Sequence, residues 1–178
     1  MVKRFLQLLF VCLILVSCQK NSSDIEAIEL PADYFIHCKI DGIDKSFNIM
    51  AKGTRLAKPD QVFLSIFGKA SEDEGNIERI NIGISSINPI RTGIYVENDP
   101  SLTYFLDAIY NPTNTFESWI MGSPSESSTP FTIFITGIDE KSVSGTFKGP
   151  VYNKNSRGIK VINITNGEFY VPFNTPPQ

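Results

Sequence analysis

The chain is poor in the residues on which most enzymes build a site. Its 178 residues hold one histidine, His37, one tryptophan, Trp119, and three cysteines, Cys12, Cys18 and Cys38. No Cys-x-x-Cys, His-Glu-x-x-His or Gly-x-Ser-x-Gly occurs, so the common zinc and serine-hydrolase signatures are missing. Basic clusters are missing too. Sixteen Lys and Arg stand against nineteen Asp and Glu, and a net charge of −3 argues against nucleic acid as a partner. Beyond the N-terminus no segment sustains an apolar period of 3.6 residues, which argues against a helical domain. No internal repeat is evident, and no cofactor or metal is implied.

What is present begins at the N-terminus. Lys3-Arg4 precede an apolar run over 5–16, interrupted only by Gln7 and Cys12. This is the charged start and apolar core of an export signal. Twelve helical residues rise about 18 Å, well short of a bilayer core of about 30 Å, so the run is not a spanning helix. Leu15-Val16-Ser17-Cys18 resembles the bacterial lipobox, which implies cleavage before Cys18 and attachment of diacylglycerol to its sulfur. Several acyl chains at about 0.8 kcal/mol per buried CH₂ make a stable anchor. Residues 1–17 are therefore expected to be a signal peptide and Cys18 a lipidation site. Their removal takes away Lys3 and Arg4 and no acid, so the net charge falls from −3 to −5. Cys12 leaves with the signal and Cys18 carries lipid, so Cys38 has no partner for an internal disulfide.

Residues 18–33 are polar, with Asn21-Ser22-Ser23-Asp24, and read as a tether lifting a domain off the membrane. Gln19-Lys20 is similar to the opening of surface-exported lipoproteins, where acids usually follow. Residues 34–173 read as one all-β domain, and 174–178 as a Pro-rich tail. Thirteen Phe, with abundant Ile, Val and Thr and with 12 Gly and 11 Pro, favour strands and turns. Alternation predicts strands over 34–40, 46–50, 80–84, 93–96, 102–110, 131–138 and 142–148. Residues 62–67 are apolar on both faces, which predicts a central or covered strand. A short strand is predicted within 116–121, beside the Ser/Thr/Pro/Gly-rich loop 122–130. Asn166-Gly167 predicts a type I′ hairpin turn between strands 159–165 and 168–173. Nine or ten short antiparallel strands imply a β-sandwich or a barrel-like domain, rich in meanders.

Three pieces carry a wider resemblance. They are Cys38-Lys39-Ile40-Asp41-Gly42 followed by Phe47, then Gly93-Ile94-Tyr95, and then Val143-Ser144-Gly145-Thr146-Phe147 leading to Ile164-Thr165-Asn166-Gly167-Glu168-Phe169. In this order, behind a lipobox, the chain resembles a family of short Bacteroidota lipoproteins of unknown function. The resemblance implies an anchored all-β domain in the cell envelope, and it brings no catalytic residue.

Candidate chemistry is sparse. His37 could serve a hydrolase as general base or zinc as a ligand, but its neighbour Cys38 points to the opposite face of the strand. A thiol between Ile36 and Ile40 reads as a core residue. Glu72-Asp73-Glu74 lacks the spaced acids of a calcium loop. Glu97/Asp99 and Asp139/Glu140 read as turn acids rather than a glycosidase pair. Trp119, with Phe116, Tyr104 and Tyr110, could offer a stacking platform for a sugar ring next to the polar loop. The sequence thus predicts a lipid-anchored envelope protein, non-enzymatic, that binds a glycan or an envelope protein. The alternatives are an assembly role without a small-molecule site and, after that, a hydrolase.

Overall fold

The computed structural model of the chain describes residues 34–72, 78–101, 103–112, 118–121, 129–155 and 158–174. The signal, Cys18, the tether, Phe116 and most of the Ser/Thr-rich loop lie outside the described residues. No helix occurs among those described, and so none is long and apolar enough to cross a membrane.

Among the described residues eleven strands form one antiparallel sheet: β1 (Phe35–Ile40), β2 (Ile43–Ser46), β3 (Ile49–Lys58), β4 (Gln61–Lys69), β5 (Arg79–Ser86), β6 (Gly93–Val96), β7 (Tyr104–Asn111), β8 (Trp119–Ile120), β9 (Thr132–Ile138), β10 (Ser142–Asn155) and β11 (Gly158–Pro172). The main path runs β2-β1-β11-β10-β8-β7-β5-β4-β3. β10 is long enough to divide its edge. Val143 to Lys148 pair with β9, which carries β6, and Tyr152 pairs with Ile120 of β8. The sheet curls until Gly53 of β3 meets Phe173 in an isolated parallel bridge, with Asn174 N–H donating to the Gly53 carbonyl at 3.1 Å. The domain is a curled, open half-barrel. Its connections are mostly local, as expected of meanders.

Alternation explains the core. Ile36 and Cys38 of β1, Leu64 and Ile66 of β4, Ile80, Ile82 and Ile84 of β5, and Ile133 and Ile135 of β9 all face inward and are buried. They meet Phe47, Phe131, Phe147 and Phe169 in a single cluster. β4, predicted to be central or covered, lies between β3 and β5, and its outward rings are roofed by cations. Lys52 Nζ stands 5.9 Å from the centroid of Phe67, and Lys58 Nζ 5.6 Å from that of Phe63. Those lysines also put charge on β3, an edge strand ten residues long.

Two expectations are corrected. Asn166-Gly167 is not a hairpin turn, because β11 runs straight through it. Against β10 the register moves from Phe147↔Gly167 to Gly149↔Ile164, and against β1 from His37↔Glu168 to Lys39↔Thr165. The pair therefore inserts one extra residue against both neighbours, which is a β-bulge. A type I′ turn needs φ > 0 at two successive residues, whereas only Asn166 (φ 50°) is left-handed here. The hairpin is made further back, where Asn155 pairs with Gly158. The second strand also differs: it is Ile43–Ser46, not 46–50. Asp41 (φ 48°) and Gly42 (φ 83°) complete the turn in two residues, so Ile43 already pairs with Ile40.

Candidate functional site

Trp119 lies in β8 opposite Tyr110 of β7, half-buried and packed on the core. The Tyr110 ring is buried, and its hydroxyl donates to Glu78 Oε1. Tyr104 stands six residues away along β7, about 20 Å at the rise of an extended strand. It meets Tyr95 edge-on with centroids 5.0 Å apart. Its hydroxyl accepts the Val96 N–H and donates to Asp99 Oδ2, both at 3.0 Å. The structure thus brings Trp119 and Tyr110 together and keeps Tyr104 apart.

The other candidates are occupied by structural work. His37 is exposed and stacked on Phe35 at 5.1 Å, while Cys38 faces the core at 3% exposure. Burial, and next the nearby Glu78 charge, push the Cys38 thiol up to about 12, which keeps it protonated and inert. The Glu97 carboxylate is buried and accepts the Phe131 N–H at 3.0 Å. Asp99 accepts from Ser101 N–H, and Asp139 from the N–H groups of Lys141 and Ser142, each a short loop closure. Among the described residues no three His, Cys, Asp or Glu side chains are grouped to hold a metal ion.

A different place has the shape of a site. A groove of about 470 Å³ opens on the outer face of β6, β9, β10 and β11. That volume falls within the range of small-ligand pockets, about 300–1,000 Å³. Its axis is a transverse row fixed by register: Ile94 pairs with Phe134, Phe134 with Thr146, and Thr146 with Glu168. Three strand spacings make this row about 14 Å long. Phe134 and Ile94 are 41% and 64% exposed and give one end an apolar surface. Thr132 and Thr146 add hydroxyls, Lys148 an ammonium, Asn166 an amide and Glu168 a carboxylate. The bulge matters here, because its extra residue falls in the stretch Asn166-Gly167-Glu168 that lines the groove.

The groove draws on separate pieces of sequence. Ile94 comes from Gly93-Ile94-Tyr95, Thr146 from Ser144-Gly145-Thr146-Phe147, and Asn166 to Glu168 from Thr165-Asn166-Gly167-Glu168-Phe169. None of its lining residues was a site candidate in the sequence. The available signal was Phe134, an aromatic ring at an outward position of a strand whose inward positions are Phe131, Ile133 and Ile135. No protein-family model, no curated protein and no solved structure matches this chain.

Proposed function

We propose that the protein is a lipid-anchored, non-enzymatic binding domain of the cell envelope, and that the groove across β6, β9, β10 and β11 is its binding surface. The observation that carries the binding role is that groove, with an exposed aromatic ring and five polar side chains converging on one face. The anchor rests on Leu15-Val16-Ser17-Cys18 behind the apolar run. Replacing Cys18 with Ala should abolish labelling by an alkyne palmitate analogue and release the chain from the membrane fraction. A Cys18→Ala protein that stays in that fraction and keeps its label would sink the anchor.

Hydroxyl-radical footprinting in intact cell envelopes and on the purified full chain tests binding whatever the ligand is. Phe134 and Ile94 should be protected in the envelope and reactive when purified. An assembly role has its own surface. Leu56, Phe63, Ser85 and Phe105 form a second transverse row on the outer face, with Leu56 and Phe105 largely exposed. Protection of Leu56 and Phe105 with Phe134 left reactive would favour that role over groove binding.

A further inference from the structure

We propose that the groove takes a neutral, hydroxyl-rich saccharide lying along the row from Ile94 to Glu168. The inference rests on the reading of the groove as the binding surface and adds the class of its ligand.

Three features of the groove lead there. First, it lies on the face of the sheet, and β9, β10 and β11 are each paired on both sides. Their backbone N–H and C=O groups are already engaged in ladders, so an extended peptide gains no strand-like pairing on this face. Recognition has to come from side chains. Second, those side chains both donate and accept. Thr132 and Thr146 do either, Asn166 does both, Lys148 donates and Glu168 accepts. A sugar hydroxyl is the ligand group that needs both kinds of partner. The two charges are of opposite sign, so a ligand carrying one sign of charge meets one like-charge contact and an uncharged ligand meets none. Third, Phe134 and Ile94 present an apolar surface beside this polar set. The C–H face of a pyranose ring covers such a surface while its equatorial hydroxyls reach sideways to Thr146 and Glu168. The row, about 14 Å long, suits a short oligosaccharide rather than a single sugar.

The test is calorimetric titration of the full chain in oxyethylene-detergent micelles. The probes are cellohexaose, xylohexaose, mannohexaose and hexa-N-acetylchitohexaose, with hexagalacturonate as the anionic comparator. At least one neutral hexasaccharide should bind, with an affinity that holds from low to high salt because no ion pair is made. Phe134→Ala should weaken it about tenfold. Glu168→Gln, which keeps an acceptor, should weaken it less than Glu168→Leu, and Trp119→Phe should leave it unchanged. Phe134 is an outward residue, so unchanged thermal unfolding of Phe134→Ala separates lost binding from lost fold. The proposal is overturned if no neutral probe binds, if affinity collapses with salt, or if Phe134→Ala binds as well as the native chain. Failure of every probe while Phe134 stays protected in envelopes would remove the saccharide and leave the groove. Loss of both would remove both.

Discussion

Cys38 shows how much environment decides about a residue type. In sequence it is one of three cysteines, set between Ile36 and Ile40 on an alternating strand. In the structure it sits among Ile36, Ile40 and the inner face of the barrel, with its thiol pushed up to about 12 by burial and then by the charge of Glu78. Its folded value lies above its unfolded one, so folding favours the protonated thiol. The stability this contributes is complete below about pH 9 and is lost as pH rises towards about 12, at up to about 1.4 kcal/mol per unit. Tyr110 is raised in the same direction, mainly by burial and then by its bond to Glu78, so it steepens the fall at the alkaline end. Urea denaturation at stepped pH should show the decline. Cys38→Ala should flatten it without removing the Tyr110 share, and a native protein whose stability is level from pH 8 to 11 would contradict the assignment. Alternation alone made the inward direction of Cys38 legible. The presence of Glu78 beside it was not legible, since the two residues are forty positions apart.

At the scale of the element, the β10–β11 pair carries an arrangement that the sequence shows only as repeated letters. Gly145 pairs with Phe169, and Phe147 pairs with Gly167. Each glycine lies across from the phenylalanine of the other strand, and the two rings stand 6.3 Å apart, tilted by 36°. A Cβ on Gly145 would fall 2.7 Å from Phe169 Cζ and also strike the Phe134 carbonyl oxygen. A Cβ on Gly167 would fall 2.7 Å from Phe147 Cδ2. The repeated Gly-x-Phe spacing thus has a packing reason: the missing side chain is the space for the ring. Gly145→Ala and Gly167→Ala should each cost about 3 kcal/mol or more, because backbone and a buried ring must both move. Gly42→Ala at the β1–β2 turn meets no atom within 4 Å and is penalised only through its φ of 83°, by about 1 kcal/mol. Chemical-denaturation midpoints would check the order, and equal losses at the three positions would refute the packing account. The same element shows why Asn166-Gly167 misleads. Asn-Gly favours left-handed backbone, and both a hairpin turn and a bulge use it. Only the partners on either side decide between them, and β1 and β10 both pair past this point.

For the whole molecule, the question is what holds an open, curled sheet shut. One seam lies between the β1–β2 edge and the strands β4 and β5. Phe47, just after β2, is fully buried and sets its carbonyl against Gly68 of β4. Beside it Lys45 Nζ pairs with Glu78 Oε1 at 2.9 Å, and Glu78 also accepts the Tyr110 hydroxyl from β7. Both charged side chains are partly buried, so the pair is screened less than a surface ion pair. Glu78→Ala strands an ammonium and a buried phenol together, whereas Lys45→Ala removes one partner of a carboxylate that keeps its phenol. The first should cost about 2–4 kcal/mol and the second about 1. Thermal unfolding of the two variants and of their combination would test this. If Lys45→Ala proves the more damaging, the seam depends on the cation rather than on the shared carboxylate.

The sequence by itself determined the fold class and most strand positions. Those depend on local patterns: a period of two and turn residues at fixed places. Tertiary structure alone decided the half-barrel closure, the bulge at Asn166-Gly167 and the groove. Each of these depends on which distant strand lies alongside. Phe134 acquires Ile94 as a neighbour only because β9, after β7 and β8, returns to pair with β6, and Glu168 reaches the same row only through the shifted register of β11. Alternation tells a residue which side it faces, and only pairing tells it what it stands beside.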